Sequence, residues 1–82
     1  MGERMTIVGT RFVSFDDEKT GRKVEGKTFY YNQARDGVDG LVSDKVFVSS
    51  QALRDIGYEP KPGDEVYAYF NRYGKVSSFE LV

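Results

Sequence analysis

The stretch that decides the fold is Lys45 to Phe70, KVFVSSQALRDIGYEPKPGDEVYAYF. It begins as an alternating strand, and Ser49 or the serine after it can then cap a helix whose apolar residues recur at helical spacing. Gly57 is placed to end that helix, and Pro60 to Asp64 has the composition of a turn. Glu65 to Phe70 alternates again. The stretch therefore predicts a single helix of about two turns between two strands.

The residues before this stretch predict a pair of strands. Met5 to Asp16 is rich in β-branched and aromatic residues, and its alternation changes phase at Gly9, which predicts a long strand with a bend. Asp16 to Lys23 has the charged, glycine-containing composition of a hairpin turn. Val24 to Asn32 resumes strand character, with Gly26 as a candidate second bend.

The remaining segments complete a pattern of five strands and one helix. Gln33 to Asp44 has no period and predicts a loop of about a dozen residues. Asn71 to Lys75 predicts a turn, and Val76 to Val82 a last strand. An all-β fold with one short helix between strands 3 and 4 favours a five-stranded OB-like barrel. The alternative is an SH3-like barrel, which usually has no full helix there. We expect a single domain over 1–82, with 1–4 as a frayed leader.

Composition excludes most enzyme classes. The 82 residues suffice for one core, and the absence of Cys and His removes zinc sites, thiol nucleophiles and imidazole bases. We expect no catalytic residues, no metal and no cofactor. A binding module is the default.

The charge balance limits the partners. Twelve Lys and Arg against thirteen Asp and Glu exclude a polycation that holds nucleic acid by bulk charge, although local basic patches remain open. No apolar run approaches the roughly 20 residues of a membrane span. We therefore expect a cytoplasmic protein that does not bind membranes.

A family resemblance is carried by Lys61 to Tyr69, KPGDEVYAY, which resembles the K-x-G-D-x-V entry into the fourth strand of many OB domains. With Phe70 to Val76, FNRYGKV, and the bent first strand, nearly the whole chain resembles the small single-stranded-DNA-binding proteins of phages and mobile elements, including the filamentous-phage type. The resemblance implies DNA binding in replication, within a bacterial or phage-infected cell. The acidic pI of about 5.3 departs from a typical single-strand binder.

The most basic part of the chain supplies the first candidates for nucleic-acid contacts. Lys19 to Arg35 holds five basic residues and one acidic residue, next to several aromatic residues. Lysine and arginine follow phosphates while aromatic rings stack on bases. The alternative is that Arg22 and Lys23 pair across the hairpin with the acidic residues from Asp16 to Glu18.

Aromatic residues on two later strands and a turn supply the rest. Tyr67 and Tyr69 share one face of their strand, and the small apolar residues between them suit the interior, so we expect the tyrosines outside. The alternative is that they cover a hairpin or a dimer interface. We expect Phe47 in the core, with a stacking platform as the alternative. The candidate nucleic-acid-binding residues are Arg22, Lys23, Lys27, Tyr30, Phe47, Tyr67, Tyr69, Arg72, Tyr73 and Lys75.

These residues predict a protein that binds single-stranded nucleic acid with low sequence specificity, by aromatic stacking and Lys/Arg contacts to phosphate. DNA is expected, RNA remains open, and a homodimer would link two weak sites. The alternative is a β-barrel protein–protein interaction module that uses the same tyrosines and binds no nucleic acid.

Overall fold

The fold is five antiparallel strands and one short helix. The structure is a computed structural model that describes residues 2–82. Its elements are β1 Glu3–Asp16, β2 Lys23–Gln33, β3 Val42–Ser49, α1 Ser50–Ile56, β4 Glu65–Phe70 and β5 Val76–Leu81. The strands form one sheet in the order β3-β2-β1-β4-β5. The mostly-β class and the place of the helix are thereby confirmed.

The sheet is strongly curled. β3 and β5 lie at its two edges, yet α1 packs against both of them as well as against β2. A seven-residue helix is only about 10 Å long. The sheet must therefore curl far enough for its two edges to approach the same helix. No helix within residues 2–82 is long and apolar enough to cross a membrane.

The first strand is shared between the two halves of the sheet. Its start pairs with β4 and the rest pairs with β2, so that Thr6 faces Asn32 on one side and Glu65 on the other. The register with β2 shifts between Ile7 and Gly9, which confirms the predicted irregularity at that glycine. A bulge there lets one strand bend between two parts of a curled sheet.

The predicted leader needs a correction. Glu3 and Arg4 are strand residues that pair with Ala68 and Tyr67, and the Arg4 guanidinium lies 3.0 Å from the Glu65 carboxylate. Sequence reasoning missed this because the pairing partner lies about sixty residues further along the chain. Met1 lies outside the described residues.

The helix has the predicted caps. The Ser49 hydroxyl accepts a hydrogen bond from the backbone N–H of Ala52 at 3.2 Å, and Gly57 adopts the left-handed conformation with φ of 77°. In the turn that follows, the Tyr58 hydroxyl donates to the Asp64 carboxylate at 2.7 Å, which fixes the path into β4. Both predicted ends of the helix are confirmed.

The core lies between the inner face of the curled sheet and α1. Val66 and Ala68 of β4 are fully buried and the tyrosines beside them point outward, as predicted. Phe29 is fully buried and meets Phe79 edge to face, with ring centroids 5.4 Å apart. Within residues 2–82, the buried core cluster consists of Met5, Ile7, Phe29, Tyr31, Val48, Leu53, Val66, Ala68, Val76 and Phe79.

One loop is shorter than predicted. β3 begins at Val42 rather than Lys45, because Val42, Ser43 and Asp44 pair with the end of β2 despite their mostly polar character. The connection is therefore confined to 34–41. The turn between β4 and β5 is as predicted, with φ of 75° at Gly74.

Candidate nucleic-acid interface

The strand registers define one continuous surface on the side of β1, β2 and β3 that faces away from the core, and we call this surface the outer face. Residues directly opposite each other in an antiparallel ladder point to the same side, so each transverse row can be read from the pairing. The rows are Gly9–Tyr30–Lys45, Arg11–Thr28–Phe47, Val13–Gly26–Ser49 and Phe15–Val24. The row Thr6–Asn32–Ser43 completes the surface.

The outer face lacks negative charge. The acidic residues of these strands at 9–16, 23–33 and 42–49 are Asp16, Glu25 and Asp44, and all three fall in the opposite phase of the alternation. Arg11 and Lys45 lie on the outer face and are exposed. Neither forms an ion pair within residues 2–82. A chain of net charge −1 thus presents a cationic surface on one side of three strands.

Phe47 lies on the outer face with its ring leaning across β2. A Cβ built on Gly26 would stand 2.6 Å from Cζ of Phe47, so the ring covers this glycine. Gly26 stays in regular register and does not form the second bend expected from the sequence. Contrary to the expectation from the sequence, Phe47 lies outside the core, because the residue is 41% exposed.

Tyr30 occupies the neighbouring row. The Tyr30 ring lies beside Gly9, where an added Cβ would lie 3.7 Å from Cδ2 of the tyrosine. Lys45 faces Tyr30 across the ladder, and Arg11 belongs to the row of Phe47. Two aromatic rings with a cation in each of their rows are the chemistry that single-stranded nucleic acid requires, since bases stack and phosphates need positive charge.

Lys27, a predicted nucleic-acid contact, lies on the side of β2 opposite the outer face. It alternates in phase with Phe29 and pairs with Phe12 and Val48, so it lies on the inner side of β2. Its ammonium group is 2.6 Å from the Glu59 carboxylate, and the side chain is 29% exposed. This ion pair connects β2 to the segment after α1, and Lys27 is not part of the outer face.

Arg22 and Lys23 lie at the exposed end of the β1–β2 hairpin. Lys23 pairs with Glu25 of its own strand at 3.5 Å, and not with the acidic residues across the turn. The turn is closed instead by backbone hydrogen bonds between Asp17 and Arg22 and between Gly21 and Asp17. The cross-hairpin ion pairs considered from the sequence do not form within residues 2–82.

Tyr67 and Tyr69 point outward from β4, but they are partly engaged. The Tyr69 hydroxyl donates to the Glu80 carboxylate at 3.1 Å, and this hydrogen bond raises the pKa of Tyr69. The backbone at Gly2 lies against the Tyr69 ring, since a Cβ there would be 2.9 Å from Cζ. These tyrosines lie on the same side of the sheet as Thr6, whose partner on β4 is Glu65, but they are two strands away from β2 and lie outside the β1–β2–β3 rows.

The β4–β5 turn carries the most exposed aromatic residue. Tyr73 is 71% exposed, and the Arg72 guanidinium carbon lies 5.1 Å from the centre of its ring. The Asn71 carboxamide oxygen accepts hydrogen bonds from the backbone N–H groups of Tyr73 and Lys75. The turn therefore presents Arg72, Tyr73 and Lys75 from an ordered backbone.

The structure thus divides the candidates into four places: Tyr30 and Phe47 on the outer face, Arg22 and Lys23 at the hairpin end, Lys27 on the inner side of β2, and the residues of β4 and the β4–β5 turn. Sequence reasoning missed Arg11 and Lys45, the two cations of the outer face. For Lys45 the available signal was its alternation with Val46 and Val48, whereas the bulge at Gly9 removes that signal for Arg11. The chain matches no family model, no curated protein and no solved structure.

Proposed function

We propose that this protein binds single-stranded nucleic acid, DNA in the first instance, with low sequence specificity, through the outer face of β1, β2 and β3. The observation that carries the proposal is the pair Tyr30 and Phe47 on a surface whose charged residues, Arg11 and Lys45, are all positive. Every base has a π-face, so stacking on these rings is tolerant of sequence.

The position of Phe47 suits stacking. Its ring lies close to the backbone at Gly26, and the residue is 41% exposed, so part of the ring is accessible to a base. The platform exists before the ligand arrives, which lowers the ordering cost of binding.

The segregation of charge supports binding by an acidic protein. The negative residues of the three strands lie on the side away from the outer face, so the local field differs in sign from the net charge. A site that neutralises about 3 to 4 phosphates gives a slope of log affinity against log salt of about −2 to −3.

We further propose that the curled sheet is an OB-like barrel with β3 and β5 brought together beside α1. The contacts of α1 with both edge strands support this arrangement, as does the position of the helix between β3 and β4. In such barrels the face of strands 2 and 3 and the loops after strands 1 and 4 bind oligonucleotides. The β4–β5 turn with Tyr73 would then add to the site. A homodimer through a remaining strand edge would join two such sites.

The test compares two exposed phenylalanines on opposite sides of the β1–β2–β3 sheet. Phe47→Ala removes the platform, and Phe12→Ala is the matched control because Phe12 is 58% exposed and lies in the row of Lys27. Binding to oligo(dT) is followed by quenching of the intrinsic fluorescence of six tyrosines, with no tryptophan to mask it. We expect Phe47→Ala to weaken binding by about 1 to 3 kcal/mol and Phe12→Ala to leave it unchanged.

Absence of quenching by oligo(dT) and oligo(U) at micromolar wild-type protein would overturn the proposal. Equal losses in the two variants would also contradict it, because the effect would not then belong to the outer face. A protein partner would be the better explanation of the exposed aromatic residues in the first case. Duplex DNA serves as the control for binding that does not need unstacked bases.

A further inference from the structure

We propose that the cleft between the β1–β2 turn and α1 binds a backbone phosphate of the same single strand, through Arg22 and Arg54. This inference rests on the proposed function. It extends the interface beyond the outer face and assigns a role to a helix residue that sequence reasoning did not single out.

The cleft adjoins the outer face at the end of β2, where Lys23 and Glu25 of the opposite phase line it together with outer-face residues. It has a volume of about 590 Å³, and Val24 and Ser49, which line it, are also members of the outer-face rows. Arg22 enters from the turn and Arg54 from the last turn of α1. Three elements thus converge on one cleft at the end of the stacking surface.

Charge in the cleft is available to a ligand. The Lys23 ammonium lies 3.5 Å from the Glu25 carboxylate, so these two lining residues offset each other. The Asp17 carboxylate also lines the cleft and keeps its negative charge, so that Arg22, Lys23 and Arg54 against Asp17 and Glu25 leave the lining one net positive charge. Arg22 and Arg54 form no ion pair within residues 2–82. Each is therefore free to offer its planar group to phosphate oxygens, which guanidinium binds with two parallel hydrogen bonds.

The distance from the platform suits a continuous strand. Ser49 follows Phe47 by two residues on the same face of β3, which corresponds to about 6.6 Å along the strand. A nucleotide stacked on Phe47 therefore has its neighbouring backbone at the mouth of the cleft. The path runs from Tyr30 across Phe47 and Ser49 to the two arginines.

The test measures the salt dependence of oligo(dT) binding in three proteins. The double variant Arg22→Ala/Arg54→Ala removes the two cations of the cleft. Arg35→Ala/Lys61→Ala is the matched control, since it removes two exposed cations outside the cleft and changes net charge equally. A contact to one phosphate of a single strand contributes about 0.7 to the salt slope, so we expect the slope of the cleft variant to become shallower by about 0.7.

The outcomes separate this inference from the proposed function. A wild-type slope in the cleft variant, or an equal change in the control, would overturn the cleft while leaving binding by the outer face intact. Failure of the wild-type protein to bind oligo(dT) would overturn both the cleft and the proposed function. We expect Arg22→Lys/Arg54→Lys to restore the slope, because charge is kept, with a lower affinity because the two-pronged hydrogen bonding is lost. Phe47→Ala, by contrast, should weaken binding with the slope unchanged.

Discussion

The ring of Phe47 fills the space above Gly26: a Cβ on that glycine would stand 2.6 Å from Cζ of the ring and 2.4 Å from the carbonyl oxygen of Val48. A residue in the middle of β2 thus determines how an aromatic side chain lies on β3. The absence of a side chain at this position is what lets the ring approach the β2 backbone, and Phe47 remains 41% exposed. The platform of the outer face is therefore made by two strands.

Substitution of this glycine should affect binding and stability together. Gly26→Ala must displace both the Phe47 ring and the β3 backbone, and overpacking of this kind costs about 1 to 3 kcal/mol. Gly9→Ala is the control, because its Cβ would make an ordinary contact at 3.7 Å with Tyr30. Urea unfolding and oligo(dT) titration of both variants measure the two effects. Normal affinity in a folded Gly26→Ala protein would show that the position of the ring does not matter.

Substitution of a core phenylalanine should lower the free energy of unfolding far more than substitution of a surface phenylalanine. Phe29 is fully buried against Phe79, and Phe29→Ala should lower the free energy of unfolding by about 3 to 5 kcal/mol. Phe12 is 58% exposed, and Phe12→Ala should cost less than about 1 kcal/mol. Thermal unfolding followed by circular dichroism measures both. Similar midpoints for the two variants would contradict the described core.

The Tyr58–Asp64 hydrogen bond should appear in the alkaline pH dependence of stability. Burial, together with the hydrogen bond to Asp64 and its negative charge, raises the pKa of Tyr58 from 10.0 to about 12. The folded state then holds this proton where the unfolded state has lost it, so the stabilisation is complete below pH 10 and disappears as the pH rises to about 12. Tyr58→Phe should cost about 1 kcal/mol at neutral pH and flatten this decline.

The variant Tyr58→Phe also isolates one group among six tyrosines. The other five tyrosines are present in both proteins, so the difference between the two stability curves belongs to Tyr58. A parallel decline of both curves between pH 9 and 12 would contradict the raised pKa. At the acid end, the hydrogen bond from Tyr58 lowers the pKa of Asp64, so its contribution is present above the ordinary value of 3.8 and is lost below it.

The β4–β5 turn should contribute to binding without contributing to stability. Tyr73 is 71% exposed and its contact is with Arg72, so Tyr73→Ala should leave the unfolding midpoint within about 0.5 kcal/mol of wild type. If the sheet closes as proposed, the same variant weakens oligo(dT) binding by about 1 kcal/mol or more. Tyr69→Phe is the comparison, because the Tyr69 hydroxyl is held by Glu80. Unchanged affinity of Tyr73→Ala would remove this turn from the site.

Local signals in the sequence predicted local structure well. Ser49 and Gly57 mark the ends of α1 because caps act through neighbouring backbone groups. The alternation of β4 predicted Val66 inside and Tyr67 outside, because side chains alternate along any strand.

The errors arose where the structure depends on distant pairing. Arg4 is ordered by β4, and Arg11 and Lys45 become neighbours of the aromatic rings only through the registers of β1, β2 and β3. The bulge at Gly9 shifts the phase of β1, so no short window of sequence shows which side of that strand faces out. The inward position of Lys27 could have been predicted from the sequence, since Lys27 alternates in phase with buried Phe29.

The most direct test of the outer-face site is a titration of ¹⁵N-labelled protein with a short oligo(dT), followed by amide chemical shifts in two-dimensional NMR. We expect the largest changes at Thr28, Tyr30, Lys45 and Phe47. Smaller changes are expected at Ser49 and Arg54, and the Lys27–Glu59 contact should remain undisturbed. Shifts confined to β4 and β5, or no shifts at millimolar oligonucleotide, would contradict binding through the face that Tyr30 and Phe47 define.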